Sequence, residues 1–242
     1  MSLIRSPEMI FTCEHGGNLI PAMYRHCFTD AEEVLQSHRG YDPGALELAR
    51  KFRAALKAPL FSETRSRLLI ELNRSLNHPR LFSQYSRTLS AEVQQQLIEQ
   101  IYQPYRQQVT DAISEQAKQK RVVHVSVHSF TPVLDGKVRR TEIGLLFDPK
   151  RSFESRFCEL WKKRLRQAAP ALAVHFNLPY RGTSDGFTTS LRQLFPDNRY
   201  AGIELEVNQK FPLGGDGRWK EIQQLLATTL KQAIEDESSS RS

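Results

Sequence analysis

Short apolar runs that stop abruptly at polar residues and glycine punctuate this chain. In residues 8–13, EMIFTC, the apolar Met9, Ile10 and Phe11 lead into Cys13, Glu14, His15 and the pair Gly16-Gly17. Such a run reads as a buried strand that opens into a loop. The glycines are expected to turn the backbone tightly and to leave room for a ligand near His15. Similar runs lie at residues 67–72 (RLLIEL, then Asn73-Arg74), 121–127 (RVVHVSV, then His128), 142–147 and 200–207 (YAGIELEV). Shorter strands are expected at residues 58–61 and 171–176.

Between these runs the apolar period changes to that of a helix. Ala45, Leu48, Ala49, Phe52, Ala55 and Leu56 recur at helical spacing, and Asp42-Pro43 has the order of an N-cap followed by a first-turn proline. Further helices are expected at residues 30–36, capped by Thr29 or Asp30, at 90–120 with an interruption at Pro104, at 152–168 and at 216–235. Strands alternating with helices predict one α/β domain over residues 1–242 with a mostly parallel, helix-covered sheet. Residues 1–7 read as a frayed arm, and the serine-rich stretch from about residue 236 as a disordered tail.

Composition changes this picture little. The 242 residues suffice for a sizeable core, and 39% hydrophobic with 25% charged residues is ordinary globular usage. No run of about 18 apolar residues is present, so no membrane partner is expected. The N-terminus lacks a signal-peptide pattern, and the three cysteines make neither a disulfide framework nor a CxxC pair. A cytoplasmic location is the expectation. The net charge is +7. Its basic residues are scattered and no helix carries a continuous basic face, which argues against a nucleic-acid partner. Arginines near strand ends favour a small anionic ligand instead.

Candidate chemistry collects where the strands end. His15, Asn73-Arg74, His128 and Glu206 each stand at or just past an expected carboxyl edge, the usual place for a site in an open α/β sheet. Two imidazoles and a carboxylate suit a mononuclear zinc site, a second carboxylate suits a general base, and an arginine suits a substrate carboxylate. Each also has a plainer reading. A lone histidine is usually structural, Asp42 caps a helix as well as it ligates, and Arg74 can pair with a loop carboxylate. His124 shares a face with His128 but lies about 13 Å from it along the strand, too far to bind the same ion, which points to the core or to a place behind the metal ligands. Glu204 and Glu206 share a face about 7 Å apart, and Glu206 is nearer the strand end. Cys13 as nucleophile lacks any cue for a lowered pKa. The Gly16-Gly17 pair lacks the phosphate-loop pattern, and no GxSxG elbow occurs.

The segments EHGGN with Ile20-Pro21, YDPGA, SRLLIELNRS, VHSFTP, PYRG and IELEVNQ follow in the order of the N-formylglutamate amidohydrolase family, which the chain resembles from about residue 8 to 230. The resemblance implies kinship with zinc carboxypeptidase and aspartoacylase-like hydrolases, and hence a three-layer α/β/α sandwich with a mixed sheet. It implies Zn2+ as cofactor, with His15 and His128 as ligands, Asn73 and Arg74 as binders of a substrate carboxylate, and Glu206 as the catalytic glutamate. The wider group uses H-x-x-E, whereas here His15 is followed by Gly16, Gly17 and Asn18. Asp42 is the choice for the third ligand and Glu14 the alternative. Arg181 is assigned to the substrate's charged end, and Arg139 or Arg140 to the oxyanion. The expected activity is hydrolysis of a small N-acyl amino acid, N-formylglutamate among the candidates. The rivals are a non-catalytic anion-binding protein on the same scaffold and a zinc metallopeptidase.

Overall fold

The computed structural model describes residues 6–215 and 217–239. The elements follow as β1 (Glu8–Cys13), a 3-10 segment (Ala22–Phe28), α1 (Glu32–Gln36), α2 (Ala45–Leu56), β2 (Leu60–Ser62), a 3-10 turn (Ser86–Thr88), α3 (Ala91–Leu97), a π-turn (Ile98–Tyr102), α4 (Gln103–Ala117), β3 (Val122–Phe130), the hairpin β4 (Val133–Leu134) and β5 (Lys137–Val138), β6 (Ile143–Leu146), α5 (Ser152–Ala168), β7 (Val174–Phe176), α6 (Phe187–Leu194), β8 (Tyr200–Asn208) and α7 (Arg218–Ser239). The expected arm at residues 1–7 lies mostly outside the described residues, as do Asp216 and the end of the expected tail. The closing helix runs on to Ser239, so residues 236–239 are helical instead of disordered.

The main sheet has the order β2-β1-β3-β8-β6-β7. β2, β1, β3 and β8 run parallel, whereas β6 pairs antiparallel with β8 and parallel with β7. Helices cover both faces, giving the mixed, mostly parallel three-layer α/β/α sandwich.

The period of two along each strand explains the layers. Odd-numbered Phe11, Val123, Val125, Val127, Ile203 and Leu205 face one buried cluster shared with α2, α5 and α7. Even-numbered Ile10, Val122 and Tyr200 face another, built with α4, α6 and the loop residues Leu68, Leu69, Ile70 and Leu72. On this second face the strands begin apolar and turn polar. Thr12, His124, Ser126 and His128 are buried there. The polar half of that face leads to the carboxyl edge of the parallel strands.

Residues 67–72 are not a strand. Leu68, Leu69, Ile70 and Leu72 are all buried, so the run has no solvent face to alternate with. Its carbonyls are met by side chains: Ser86 Oγ donates to Leu68 O at 3.0 Å, and Arg106 Nη1 to Leu72 O at 3.0 Å. A second departure lies in the long helical stretch. The π-turn at Ile98–Tyr102 absorbs Pro104, which sits in the first turn of α4, where its missing N–H costs least. α1 begins after Ala31 without a side-chain cap, so neither Thr29 nor Asp30 caps it.

The glycine pair serves packing, not ligand access. A Cβ on Gly17 would stand 2.4 Å from Thr64 O, and one on Gly16 2.9 Å from Glu63 O. The two glycines let the chain after β1 press against the chain after β2, where Gly16 N donates to Glu63 O at 2.9 Å.

His124 belongs to the core. Its Nε2 is 2.8 Å from Thr12 Oγ1 and its Nδ1 2.8 Å from Tyr200 Oη, so both ring nitrogens are satisfied without a charge. Burial, with Arg192 and His128 adding and Glu14 opposing, pushes its pKa down from 6.5 to about 4. Between those values the unfolded chain binds the proton and the folded chain does not. The stability this residue confers is therefore complete above pH 6.5 and is lost as pH falls toward 4, by about 3 kcal/mol in total. In metal-free protein, denaturant titrations across this range should give a flatter pH dependence for His124→Gln than for the parent chain. Parallel profiles would mean that His124 is not buried neutral.

Candidate active site

β1 ends at Cys13 and delivers Glu14 and His15 at its carboxyl edge. Beside it β3 carries His128, which lies within the strand because β3 extends to Phe130. Asp42 reaches the same place from the loop before α2, and its N–H donates to His15 O at 2.9 Å. It does not cap the helix: α2 is entered through Gly44, held at φ 81°. A Cβ at Gly44 would stand 2.6 Å from Pro212 Cβ, so both conformation and space demand glycine.

The Asp42 carboxylate turns to the two rings. Its Oδ2 is 3.2 Å from His15 Nδ1 and 2.8 Å from His128 Nδ1. The ring centroids are 5.0 Å apart. One nitrogen of each ring and one Asp42 oxygen lie within 4.8 Å of one another, all buried.

The opposite nitrogens are held from behind. His15 Nε2 is 2.5 Å from Glu71 Oε1, whose other oxygen accepts from Arg67 Nε at 2.7 Å. His128 Nε2 is 2.8 Å from Ser126 Oγ, which donates to Glu14 Oε2 at 2.7 Å. Tyr105 Oη donates to Glu14 Oε1 at 3.2 Å. Glu14 therefore stands behind His128, not beside Asp42. Between the two candidates for third ligand, the geometry favours Asp42. Each ring has its Nε2 gripped and its Nδ1 turned to the shared point, an arrangement that fixes a histidine as a metal ligand.

Charge separates the carboxylates into two kinds. Burial opposes ionisation of Asp42, but His15 and His128 hold it well below the usual carboxylate range. Burial is likewise overcome at Glu71 by Arg67 and His15, and at Glu14 by His128 and Ser126. Glu206 goes the other way. Burial pushes it up to about 8, with His128 opposing and Asp42 and Glu204 adding. Its Oε2 is buried without a hydrogen-bond partner. Glu204, two residues earlier on the same face, is satisfied by Thr188 Oγ1 at 2.8 Å.

The histidines answer this surplus of carboxylates. At His15 burial and Arg67 oppose protonation, but Glu71 and Asp42 outweigh them and raise the pKa. At His128 burial again opposes, and Asp42, Glu14 and Glu206 raise it to about 10. A site that draws protons onto two buried imidazoles is one that stabilises a cation. The three donor atoms lie close enough together, within 4.8 Å, to share one ion. The donor set of two imidazoles and one carboxylate fits zinc.

The three donors open onto a cavity of about 400 Å³ that Glu206, Asn73, Arg74 and Arg181 also line. Asn73 and Arg74 reach it from a loop, not from a strand end. Asn73 Oδ1 accepts from Phe187 N at 2.7 Å and its Nδ2 lies 3.4 Å from His128 Nε2. Arg74 Nη1 donates to Asp185 O, which steadies the guanidinium at the cavity wall. Arg139 is not on that wall, but its Nη1 donates to Tyr180 Oη at 2.9 Å, and Tyr180 is. Arg140 is exposed and outside the lining. Cys13 is fully buried, and burial, with Glu14 and Asp42 adding, pushes its thiol well above the ordinary value, which excludes an activated nucleophile.

Glu71 and Arg67 are the participants that sequence reasoning missed. Both lie in residues 67–72, whose apolar pattern is that of a strand and directs attention to its end at Asn73-Arg74. The available signal was a pair of opposite charges four residues apart in an otherwise apolar segment.

A buried donor set that fits a divalent ion, with one carboxylate of raised pKa facing the same cavity, has the chemistry to bind a metal and activate water. The family profile described as N-formylglutamate amidohydrolase matches residues 7–212, and the chain belongs to that family of hydrolases acting on amide bonds. Among solved structures, gene product Atu2144 from Agrobacterium tumefaciens superposes with a TM-score of 0.80 at 28% identity, over 95% of this chain and 91% of that one. N-formylglutamate amidohydrolase from Ralstonia eutropha JMP134 gives 0.69 at 17% identity, over 94% and 93%. No curated protein gives a significant match.

Metal binding can be read directly. His15→Ala, His128→Ala and Asp42→Asn should each lose stoichiometric zinc in elemental analysis after reloading, whereas His124→Gln should keep it. Zinc retained by His128→Ala but stripped from His124→Gln would refute the assignment. Glu71→Gln should retain the site but weaken zinc about 10–100-fold in competition with a chelator, the usual scale for a residue that orients a ligand. An unchanged affinity would make Glu71 purely structural.

Proposed function

We propose that this chain is a zinc-dependent amidohydrolase that cleaves the amide of a small anionic N-acyl amino acid, N-formylglutamate being the leading candidate. The observation that carries this reading is the orphaned Glu206 carboxylate, buried in the same cavity as the His15, Asp42 and His128 donors. Family membership supports the bond class, and the arginines in the cavity wall support an anionic substrate.

His15, His128 and Asp42 would hold the ion. When bound, the metal would polarise the scissile carbonyl and make water a better nucleophile at neutral pH. The remaining steps belong to the chain. Arg74 and Arg181 fix the substrate carboxylate, and planar guanidinium forks suit that task. Glu206 Oε2, free of any protein partner, accepts the proton of the attacking water and returns it to the leaving nitrogen. Burial raises the pKa of Glu206 in the absence of metal, and a cation held by the three donors would favour the ionised form that accepts the proton.

The test compares zinc-loaded Glu206→Gln and Glu204→Gln on N-formylglutamate within a panel of N-acyl amino acids. Glu206→Gln should keep zinc and ligand binding while turnover falls by about 10²–10⁴, the scale of general acid–base catalysis. Near-normal turnover in Glu206→Gln with a folded but inactive Glu204→Gln would transfer the role to Glu204. Ligand binding with no hydrolysis of any panel member by the parent chain would favour a non-catalytic anion-binding protein.

A further inference from the structure

Next to the catalytic cavity lies a second one of about 450 Å³. His38, Arg67, Arg74 and Arg80 line both. The second cavity adds Arg39 and Arg87, while Glu71 is its one acidic lining residue, already engaged by Arg67 and His15. Among the described residues no carboxylate pairs with Arg39, Arg80 or Arg87. Arg87 Nη2 donates only to Pro79 O, at 3.2 Å. His38 senses the same surplus. Its pKa is pushed down by burial and then by Arg39, Arg139 and Arg67.

Arg39, Arg80 and Arg87, all exposed, line one concavity without a carboxylate partner among the described residues, so an oxyanion seated there would gain charge-assisted hydrogen bonds that no protein group supplies. The catalytic cavity is already within the usual range of about 300–1,000 Å³ for a small-molecule site. A small N-acyl amino acid does not need the second cavity. A ligand that continues past Arg74 and Arg80 does. Resting on the amidohydrolase reading above, we propose that the Arg39-Arg80-Arg87 cavity is a second anion subsite, and that the preferred substrate is a polycarboxylate amide of acidic-dipeptide size, an N-acylated glutamyl-glutamate or its like.

Calorimetry on the zinc-loaded protein tests the subsite without requiring turnover. At about 0.15 M salt, where diffuse attraction between exposed charges is largely screened, glutamyl-glutamate should bind about tenfold tighter than glutamyl-glutamine. In the double variant Arg39→Gln/Arg87→Gln that gap should close, while turnover of N-formylglutamate stays at the parental value. In the control Lys162→Gln/Lys163→Gln, on the basic surface of α5, the gap should persist. Turnover of N-formyl-glutamyl-glutamate should exceed that of N-formyl-glutamyl-glutamine by a similar factor in the parent and by none in the double variant. If no formyl compound is cleaved but the binding gap appears and closes as stated, the subsite stands and the assigned reaction fails. Equal affinity for the two dipeptides in the parent, or equal losses on both in the double variant, overturns the subsite.

Discussion

Asp42 is shared between two buried imidazoles, and much of the structure follows from keeping that carboxylate charged away from water. A buried carboxylate is tolerated only where positive charge or hydrogen bonds replace its hydration. His15 and His128 do so directly, and Ser129 N and Arg67 add to them at 3.4 Å each. Each imidazole then needs a partner for its far nitrogen; Glu71 meets that need at His15, and Ser126, backed by Glu14, meets it at His128. Those carboxylates in turn call on Arg67, Ser126 and Tyr105. The network is thus a chain of obligations that begins at one oxygen and ends at the boundary of the apolar core. It leaves Glu206 outside. Burial dominates there, no donor reaches its Oε2, and His128 and His15 only partly offset the cost, which is why it alone among these carboxylates resists ionisation.

The sheet makes this arrangement possible. Parallel strands place their carboxyl ends together, so residues distant in sequence meet without long loops. On the face toward α4 and α6, the shift from Ile10 to Thr12 and from Val122 to His124 turns each strand from oil to polar matter along its length. The apolar half pins the register, since a slip of one residue would exchange the two faces. The polar half inherits that precision and hands it to His128 and the residues around it.

How much of this was legible in the sequence depends on whether local pattern or tertiary context decided the outcome. β1, β3, β6 and β8 announce themselves because their apolar runs are set by burial on both faces, and α2 because its stripe is periodic. His15, His128, Asp42 and Glu206 were legible as candidates, and the structure brings all four to one cavity. Residues 67–72 misled for a physical reason. Their leucines are buried in irregular chain whose carbonyls are satisfied by Ser86 and Arg106, partners that local pattern cannot reveal. That error concealed Glu71, whose neighbour across the site is 56 positions away in sequence. The glycine pair misled differently. Local pattern assigns its freedom to ligand access, whereas the neighbouring backbone occupies the space.

The hydrogen bond from Asp42 N to His15 O closes the segment between them into a tethered excursion. Its two ends are pinned at the donors, and lengthening such a loop costs little entropy once its ends are fixed. His38 and Arg39, which help form the rim of the neighbouring basic cavity, belong to this excursion. Insertions or substitutions there would alter what the rim attracts without moving either donor. In evolutionary terms, the exposed rim can vary in charge while backbone contacts on either side of it, Gly16 N to Glu63 O and Asp42 N to His15 O among them, hold the two donors in place.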